Sequence, residues 1–80
     1  SGLAFVTSDR LFPSWRGSAL VGSLRGALLR LEINGNRVVR EHTEWNARGE
    51  RVRDVREGPD GSVVVLTDHP TNGRLLRLLP

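Results

Sequence analysis

Arg51 and Arg53 are the two residues whose type and spacing most clearly suggest chemistry. They stand two apart in a predicted strand, so the alternation of side chains along a strand places both on one face. Two adjacent guanidinium groups repel each other unless an anion lies between them, and each can hold a carboxylate through two hydrogen bonds. The pair therefore suggests an anion site. Taken alone, the residues favour the plainer alternative of ordinary ion pairs, with partners among Asp54, Glu50 and Glu57.

The histidines do not form a recognisable site. His42 lies among charged residues on a predicted outer strand, and His69 follows Asp68 in a predicted turn, so we expect both to be solvated. The chain has no Cys, and two histidines alone do not make a closed zinc site. No Ser-His-Asp arrangement or phosphate-binding glycine pattern is present either. We therefore assign no catalytic residue and no metal ligand.

Composition narrows the possible partners. All twelve basic residues are Arg, and they are dispersed among nine acids to give a net charge of +3. This dispersal does not form a compact surface for nucleic acid, and no apolar run is long enough to span a membrane. We expect neither as a partner. Eighty residues also bury little surface, so oligomerisation is the obvious source of additional stability.

The elements that must position these residues are short strands. Brief apolar runs bounded by Gly, Ser, Pro and Asp favour strands over helices. Asn34-Gly35 and Pro59-Asp60-Gly61 predict turns, and we expect Trp15 and Trp45 to pack against sheets or loop bases. The predicted strands are 2–7, 18–24, 27–33, 36–45, 51–57, 62–67 and 73–79.

The chain contains an internal repeat. Residues 17–21 match 61–65, and the Leu-Leu-Arg-Leu of 28–31 recurs at 75–78, with offsets of 44 and 47 residues. A period near 40–45 with several strands per repeat is typical of a β-propeller. We therefore predict an all-β propeller fragment of about two blades. Residues 1–45 form the first blade, of four strands, and residues 46–80 form a second, incomplete blade of three.

Two consequences follow for the predicted fragment. The core of the second blade should contain Val64, and the uncovered blade faces and strand edges should bind sister chains. Since propellers close with four to eight blades, we expect a homo-oligomeric ring, with three chains giving six blades. The alternative is a small barrel or sandwich that one chain forms from its own seven strands.

Four ordered segments carry a resemblance to a known family: residues 1–5, 20–26, 51–56, and 58–61 followed by 66–68. Together they resemble the last blades of the soluble aldose and glucose dehydrogenases, which are six-bladed propellers that bind pyrroloquinoline quinone (PQQ). The resemblance covers nearly the whole chain. It implies PQQ and calcium as cofactors of the parent fold, oxidation of an aldose at its anomeric carbon, and a periplasmic or secreted location.

The resemblance also implies a set of cofactor-binding residues. Arg51 and Arg53 match the family's paired arginines, and Arg25 stands where the family has a Lys that contacts the cofactor. The family's catalytic histidine and calcium ligands lie in earlier blades and match nothing in this chain. Because PQQ is a tricarboxylate, the three arginines are expected to face it from the central channel.

Three functions remain open from the sequence. The first is a sugar-dehydrogenase-like fragment that assembles into a ring without the native reaction. The second is a module that binds a small anion in a channel lined by arginine. The third is a promiscuous activity, such as that of a hydrolase, arising in the assembled ring.

Overall fold

The computed structural model describes residues 2–23, 25–46, 50–68 and 73–80. These residues form seven strands and one short 3-10 turn, Pro13–Trp15, and contain no α-helix. The strands are β1 (Leu3–Phe5), β2 (Ala19–Gly22), β3 (Ala27–Asn34), β4 (Arg37–Asn46), β5 (Arg51–Glu57), β6 (Val63–Asp68) and β7 (Leu75–Leu78).

The strands form two antiparallel sheets in simple chain order. The first sheet has the order β1-β2-β3-β4 and the second has the order β5-β6-β7. The all-β prediction is therefore confirmed, and two consecutive up-and-down sheets are consistent with a propeller fragment. Among the described residues, no helix is long and apolar enough to cross a membrane.

The tight turn between β3 and β4 shows how one glycine sets a register. Asn34 pairs with Arg37, so the two loop residues are Gly35 and Asn36. Gly35 has a φ of +67°, while no residue other than glycine has a positive φ in the described chain. A positive φ at the first loop position alone is the pattern of a type II′ hairpin turn. The hairpin prediction is confirmed, but its loop lies one residue later than Asn34-Gly35.

The core lies between the two sheets. Its fully covered residues are supplied by the facing sides of both sheets: Leu20, Leu28, Val52, Val55, Val63 and Val65, each at most 1% exposed. We call these facing sides the inner faces and the opposite sides the outer faces.

The expectation that Val64 lies in this core is wrong. Val63 and Val65 are buried while Val64 is only half-buried, because a strand directs alternate side chains to opposite faces. Val64 therefore belongs to the outer face of the second sheet. The run Val63-Val64-Val65 is uniformly apolar, so its sequence could not reveal which residues face inwards.

The internal repeat has a structural counterpart. Gly17 and Gly61 adopt nearly the same positive φ, +86° and +88°. The serines that follow, Ser18 and Ser62, are 4% and 2% exposed. In both units the glycine therefore turns the chain before a strand, and the serine takes its hydroxyl into the interior.

Each buried serine meets the arginine of the repeated Leu-Leu-Arg-Leu segment. Arg30 Nη1 donates to Ser18 Oγ at 3.1 Å, and Arg77 Nε donates to Ser62 Oγ at 3.3 Å. Arg30 also donates from Nε to Glu44 Oε2 at 2.7 Å, an ion pair that is largely shielded from solvent. The repeat thus encodes the same serine–arginine contact in both sheets.

Candidate functional site

The candidate site is built where the first sheet meets the start of β5. The Val52 amide donates to the carbonyl oxygen of Ser23 at 3.2 Å, a bond that joins the two sheets directly. Gly22 permits this approach, since a Cβ on it would lie 2.5 Å from Val52 Cγ1. As a result, the turn that carries Arg25 lies against the strand that carries Arg51 and Arg53.

Arg53 occupies a β-bulge. Val52 pairs with Thr67 and Asp54 pairs with Leu66, so Arg53 is the extra residue between two consecutive pairs. Val52 and Val55, three residues apart, are consequently both fully buried. The predicted strict alternation therefore ends at Arg53. A bulge re-aims a side chain and is common beside functional sites.

The three arginines differ in their partners. Arg51 Nη2 donates to Asp68 Oδ2 at 3.0 Å, in a pair that is more than a third exposed on both sides. Arg53 and Arg25 are exposed, and neither guanidinium pairs with a carboxylate among the described residues. The Arg25 amide donates to Ser23 Oγ at 3.0 Å, which fixes the turn on which the side chain stands.

The acids first considered as ion-pair partners of Arg51 and Arg53 are engaged elsewhere. Asp54 accepts from the Val55 amide at 2.9 Å and from Arg56 Nε at 3.2 Å. Glu50 accepts from Arg74 Nε at 3.0 Å. The plainer alternative therefore applies only to Arg51, and there with Asp68 as partner.

Glu57 fastens the loop after β1 to the end of β5. Its carboxylate accepts from the Thr7 amide at 2.9 Å, from Thr7 Oγ1 at 2.5 Å and from the Ser8 amide at 3.0 Å. Partial burial acts to raise the pKa of Glu57, but these hydrogen bonds outweigh it and hold the pKa below the ordinary 4.5. Glu57 thus stays ionised as a structural acceptor beside the site.

Asp60 has a similar structural role in the Pro59-Asp60-Gly61 turn. It accepts from Ser62 Oγ at 2.6 Å and from the Ser62 amide at 3.0 Å, and it pairs with Arg77. The Ser62 hydrogen bonds, followed by that from Arg77, hold the pKa of Asp60 well below its usual value. The predicted turn is confirmed, with Asp60 as its hydrogen-bond acceptor.

The remaining residues singled out in the sequence lie away from this junction. His42, on β4, contacts Glu32 Oε2 through Nε2 at 2.5 Å and is half-buried, so it is less solvated than expected. This contact lowers the pKa of Glu32. His69 lies outside the described residues. No cluster of three His, Cys, Asp or Glu residues suited to a metal occurs in the described ranges.

Both tryptophans serve packing. Trp15 and Trp45 lie against the core cluster. The Trp15 ring stacks on Phe12 with centroids 4.1 Å apart, and the Arg30 guanidinium lies 5.5 Å from its centroid. The expectation for the tryptophans is confirmed.

Two features of the site were missed in the sequence. The first is the bulge at Arg53, which no residue type in the Arg51–Glu57 strand marks. The second is the close approach at Gly22, where an isolated glycine inside the predicted strand 18–24 could have been taken as a sign that another backbone comes near. Together they determine where the arginines stand relative to each other.

The fold and this site define a class of protein: two adjacent all-β sheets with arginines at their shared end, consistent with part of a propeller. A family profile described as glucose/sorbosone dehydrogenase matches residues 1–77. The chain belongs to the glucose/sorbosone dehydrogenase family.

Individual relatives agree with this assignment. The aldose sugar dehydrogenase YliI of Escherichia coli is 41% identical over the whole chain, and an uncharacterised protein of Synechocystis is 51% identical over 98% of it. The solved structure of a glucose dehydrogenase matches the whole chain with a TM-score of 0.90 and 46% identity. That of the apo soluble aldose sugar dehydrogenase from Escherichia coli matches 96% of it, with a TM-score of 0.76 and 38% identity.

The chain is much shorter than these relatives. It spans 21% and 18% of the two related sequences, and 25% and 22% of the two solved chains. It therefore corresponds to a fragment of a larger protein.

Proposed function

We propose that this chain supplies a cationic binding surface for PQQ in a sugar dehydrogenase, and that Arg25, Arg51 and Arg53 form it. The observation that carries the proposal is the Val52–Ser23 hydrogen bond. It holds the Arg25 turn against β5, so that arginines from both sheets can bind the same ligand. The family is PQQ-dependent, and PQQ is a tricarboxylate.

The residues suit such a ligand. Arg25 and Arg53 have no carboxylate partner among the residues described, and Arg51 holds Asp68 only in a solvent-exposed pair. An exposed pair contributes at most about 1 kcal/mol, so a ligand carboxylate can compete for Arg51. When bound, the quinone would accept a hydride from the sugar. The arginines would bind and orient its carboxylates through paired N–H donors.

The part proposed for this chain is binding rather than proton transfer. His42 lies on β4, the edge strand of the first sheet, away from the three arginines. It contacts Glu32. We therefore assign it no role in a reaction. An anion-binding module uses the same arginines, and it differs only in the ligand that they hold.

The test is a calorimetric titration of the 80-residue chain with PQQ. Comparison of the wild type with Arg25→Gln and Arg53→Gln measures the contribution of each cation. Each loss should weaken binding about fivefold, because an exposed charge contact is worth about 1 kcal/mol, and added salt should weaken binding further. Arg37→Gln is the matched control, since Arg37 is exposed at the far end of the first sheet.

Equal losses for Arg37→Gln and Arg53→Gln would mean that net charge alone attracts the ligand, and the proposed site would be wrong. Arg53→Lys separates geometry from charge. It keeps the charge but removes the planar fork, so binding should fall if the paired hydrogen bonds matter.

A further inference from the structure

The outer faces of both sheets carry exposed apolar side chains. On the first sheet, Leu3 and Phe5 are 60% and 56% exposed. On the second sheet, Leu66 and Leu75 pair across β6 and β7 and are 39% and 72% exposed. All seven strands of the described residues belong to these two sheets, so no further sheet of the described chain covers either outer face.

The total surface agrees with this openness. The chain exposes 5315 Å², whereas a compact monomer of its mass exposes about 4,800 Å².

The internal repeat identifies what fits the outer face of the first sheet. That face includes Val21 and Leu29, which pair with each other across β2 and β3. Their equivalents in the repeat are Val65 and Leu76, which likewise pair across β6 and β7. Val65 is on the inner face of the second sheet, so the outer face of the first sheet corresponds to a face that is already covered within the chain.

The same correspondence holds for the outer face of the second sheet. Val64 and Leu75 are the repeat equivalents of Leu20 and Leu28. Leu20 and Leu28 are fully buried on the inner face of the first sheet. Each outer face is therefore the repeat equivalent of the inner face of the other sheet. The two inner faces together form the contact between the sheets.

We propose that a second copy of this chain docks head to tail. The outer face of the second sheet in one copy packs on the outer face of the first sheet in the other copy. The new contact repeats the one within the chain. Such a contact uses two different surfaces, so it generates a ring where the rotation closes and a filament where it does not. Three copies would give six sheets, within the four to eight of known propellers.

The equivalence is incomplete, most clearly where a charged residue of β5 replaces a small one of β1. Arg56 pairs with Val64 across β5 and β6 where Ala4 pairs with Leu20 in the first sheet. Arg56 Nε donates to Asp54 Oδ2 at 3.2 Å, so its charge is neutralised within its own sheet. The docked copy therefore meets a paired charge at this position.

Leu3→Glu and Leu75→Glu test the proposal, since each places a charge on one outer face at a residue that is mostly exposed in the single chain. Mass is measured by analytical ultracentrifugation without any cofactor, so the outcome is independent of PQQ binding. The wild type should associate, with a ring of three chains near 27 kDa, three times 8.9 kDa. Each variant alone should be a monomer.

An equimolar mixture of the two variants is the decisive sample. Leu3→Glu retains the second outer face and Leu75→Glu retains the first, so one of each should form a heterodimer that cannot grow. Leu79→Glu is the control, since Leu79 is 54% exposed but follows the last strand. This variant should associate like the wild type.

Three results would overturn the proposal. These are a monomeric wild type with native circular dichroism, a single variant that still assembles, and a mixture that stays monomeric. Assembly lost only in Leu3→Glu would point instead to pairing of two identical faces.

Discussion

Replacing Val65 and Val64 separately with Ala tests both the register of β6 and the docking of a second copy. Val65 is fully buried between the sheets, whereas Val64 lies half-buried on the outer face. The two substitutions remove the same atoms from adjacent residues of one strand. Any difference between them therefore reports where each side chain lies.

The expected magnitudes follow from burial. Val65→Ala removes two carbons at about 0.8 kcal/mol each and leaves a cavity, so we expect a loss of about 2–3 kcal/mol. The whole domain should have about 4–12 kcal/mol of stability. The loss corresponds to a fall in Tm of about 10–20 °C for a domain of this size. In a single chain, Val64→Ala should cost less than about 1 kcal/mol.

The assay is thermal and urea unfolding followed by circular dichroism at several protein concentrations. The cost of Val65→Ala should not change with concentration. The cost of Val64→Ala should grow as the chains associate, because a docked copy covers Val64. An equal or larger cost for Val64→Ala in dilute solution would show that the register of β6 is wrong.

Three further substitutions test the junction at Gly22, the hydrogen bonds of Glu57 and the buried ion pair. Gly22→Ala places a methyl group against Val52 and should cost about 1–3 kcal/mol while weakening PQQ binding in calorimetry; unchanged binding would separate the arginines from this contact. The folded state lowers the pKa of Glu57, so stability present above pH 4.5 should be lost as the pH falls through the folded pKa, and Glu57→Gln should flatten that slope in acid unfolding. Arg30→Ala leaves Glu44 unpaired and largely buried and should cost about 3 kcal/mol or more in urea; a cost near zero would show that water reaches Glu44.

The fold was readable from the sequence because its signals are local. Short apolar runs bounded by turn residues gave all seven strands within two residues at each end, and the Leu-Leu-Arg-Leu repeat predicted two consecutive units. The sequence could not show which side chains of a strand face the core where consecutive residues are all apolar. In Val63–Val65 every residue is apolar, so which of them face inwards depends on β5 and β7.

The residue types of the candidate site were chosen from the sequence, but the geometry that the structure gives them was not. Arg51 and Arg53 could be selected by their spacing, and Arg25 by the family resemblance. Their arrangement depends on a bulge and on a hydrogen bond between Ser23 and Val52, which are 29 residues apart in the sequence. Backbone contacts between distant segments leave no mark on residue type.

In the proposed site, the position of the arginines would couple PQQ binding to the packing of the two sheets. Arg25 belongs to the first sheet, whereas Arg51 and Arg53 belong to the second, and the contact between Gly22 and Val52 lies between them. A ligand that bridges both sets binds only the packed state, so it should raise the free energy of unfolding by RT ln(1 + [L]/Kd), where [L] is the free ligand concentration. Conversely, whatever loosens the contact at Val52 lowers affinity even if all three arginines are intact. The proposal therefore makes ligand binding at the arginines and packing of the apolar core parts of a single folding equilibrium.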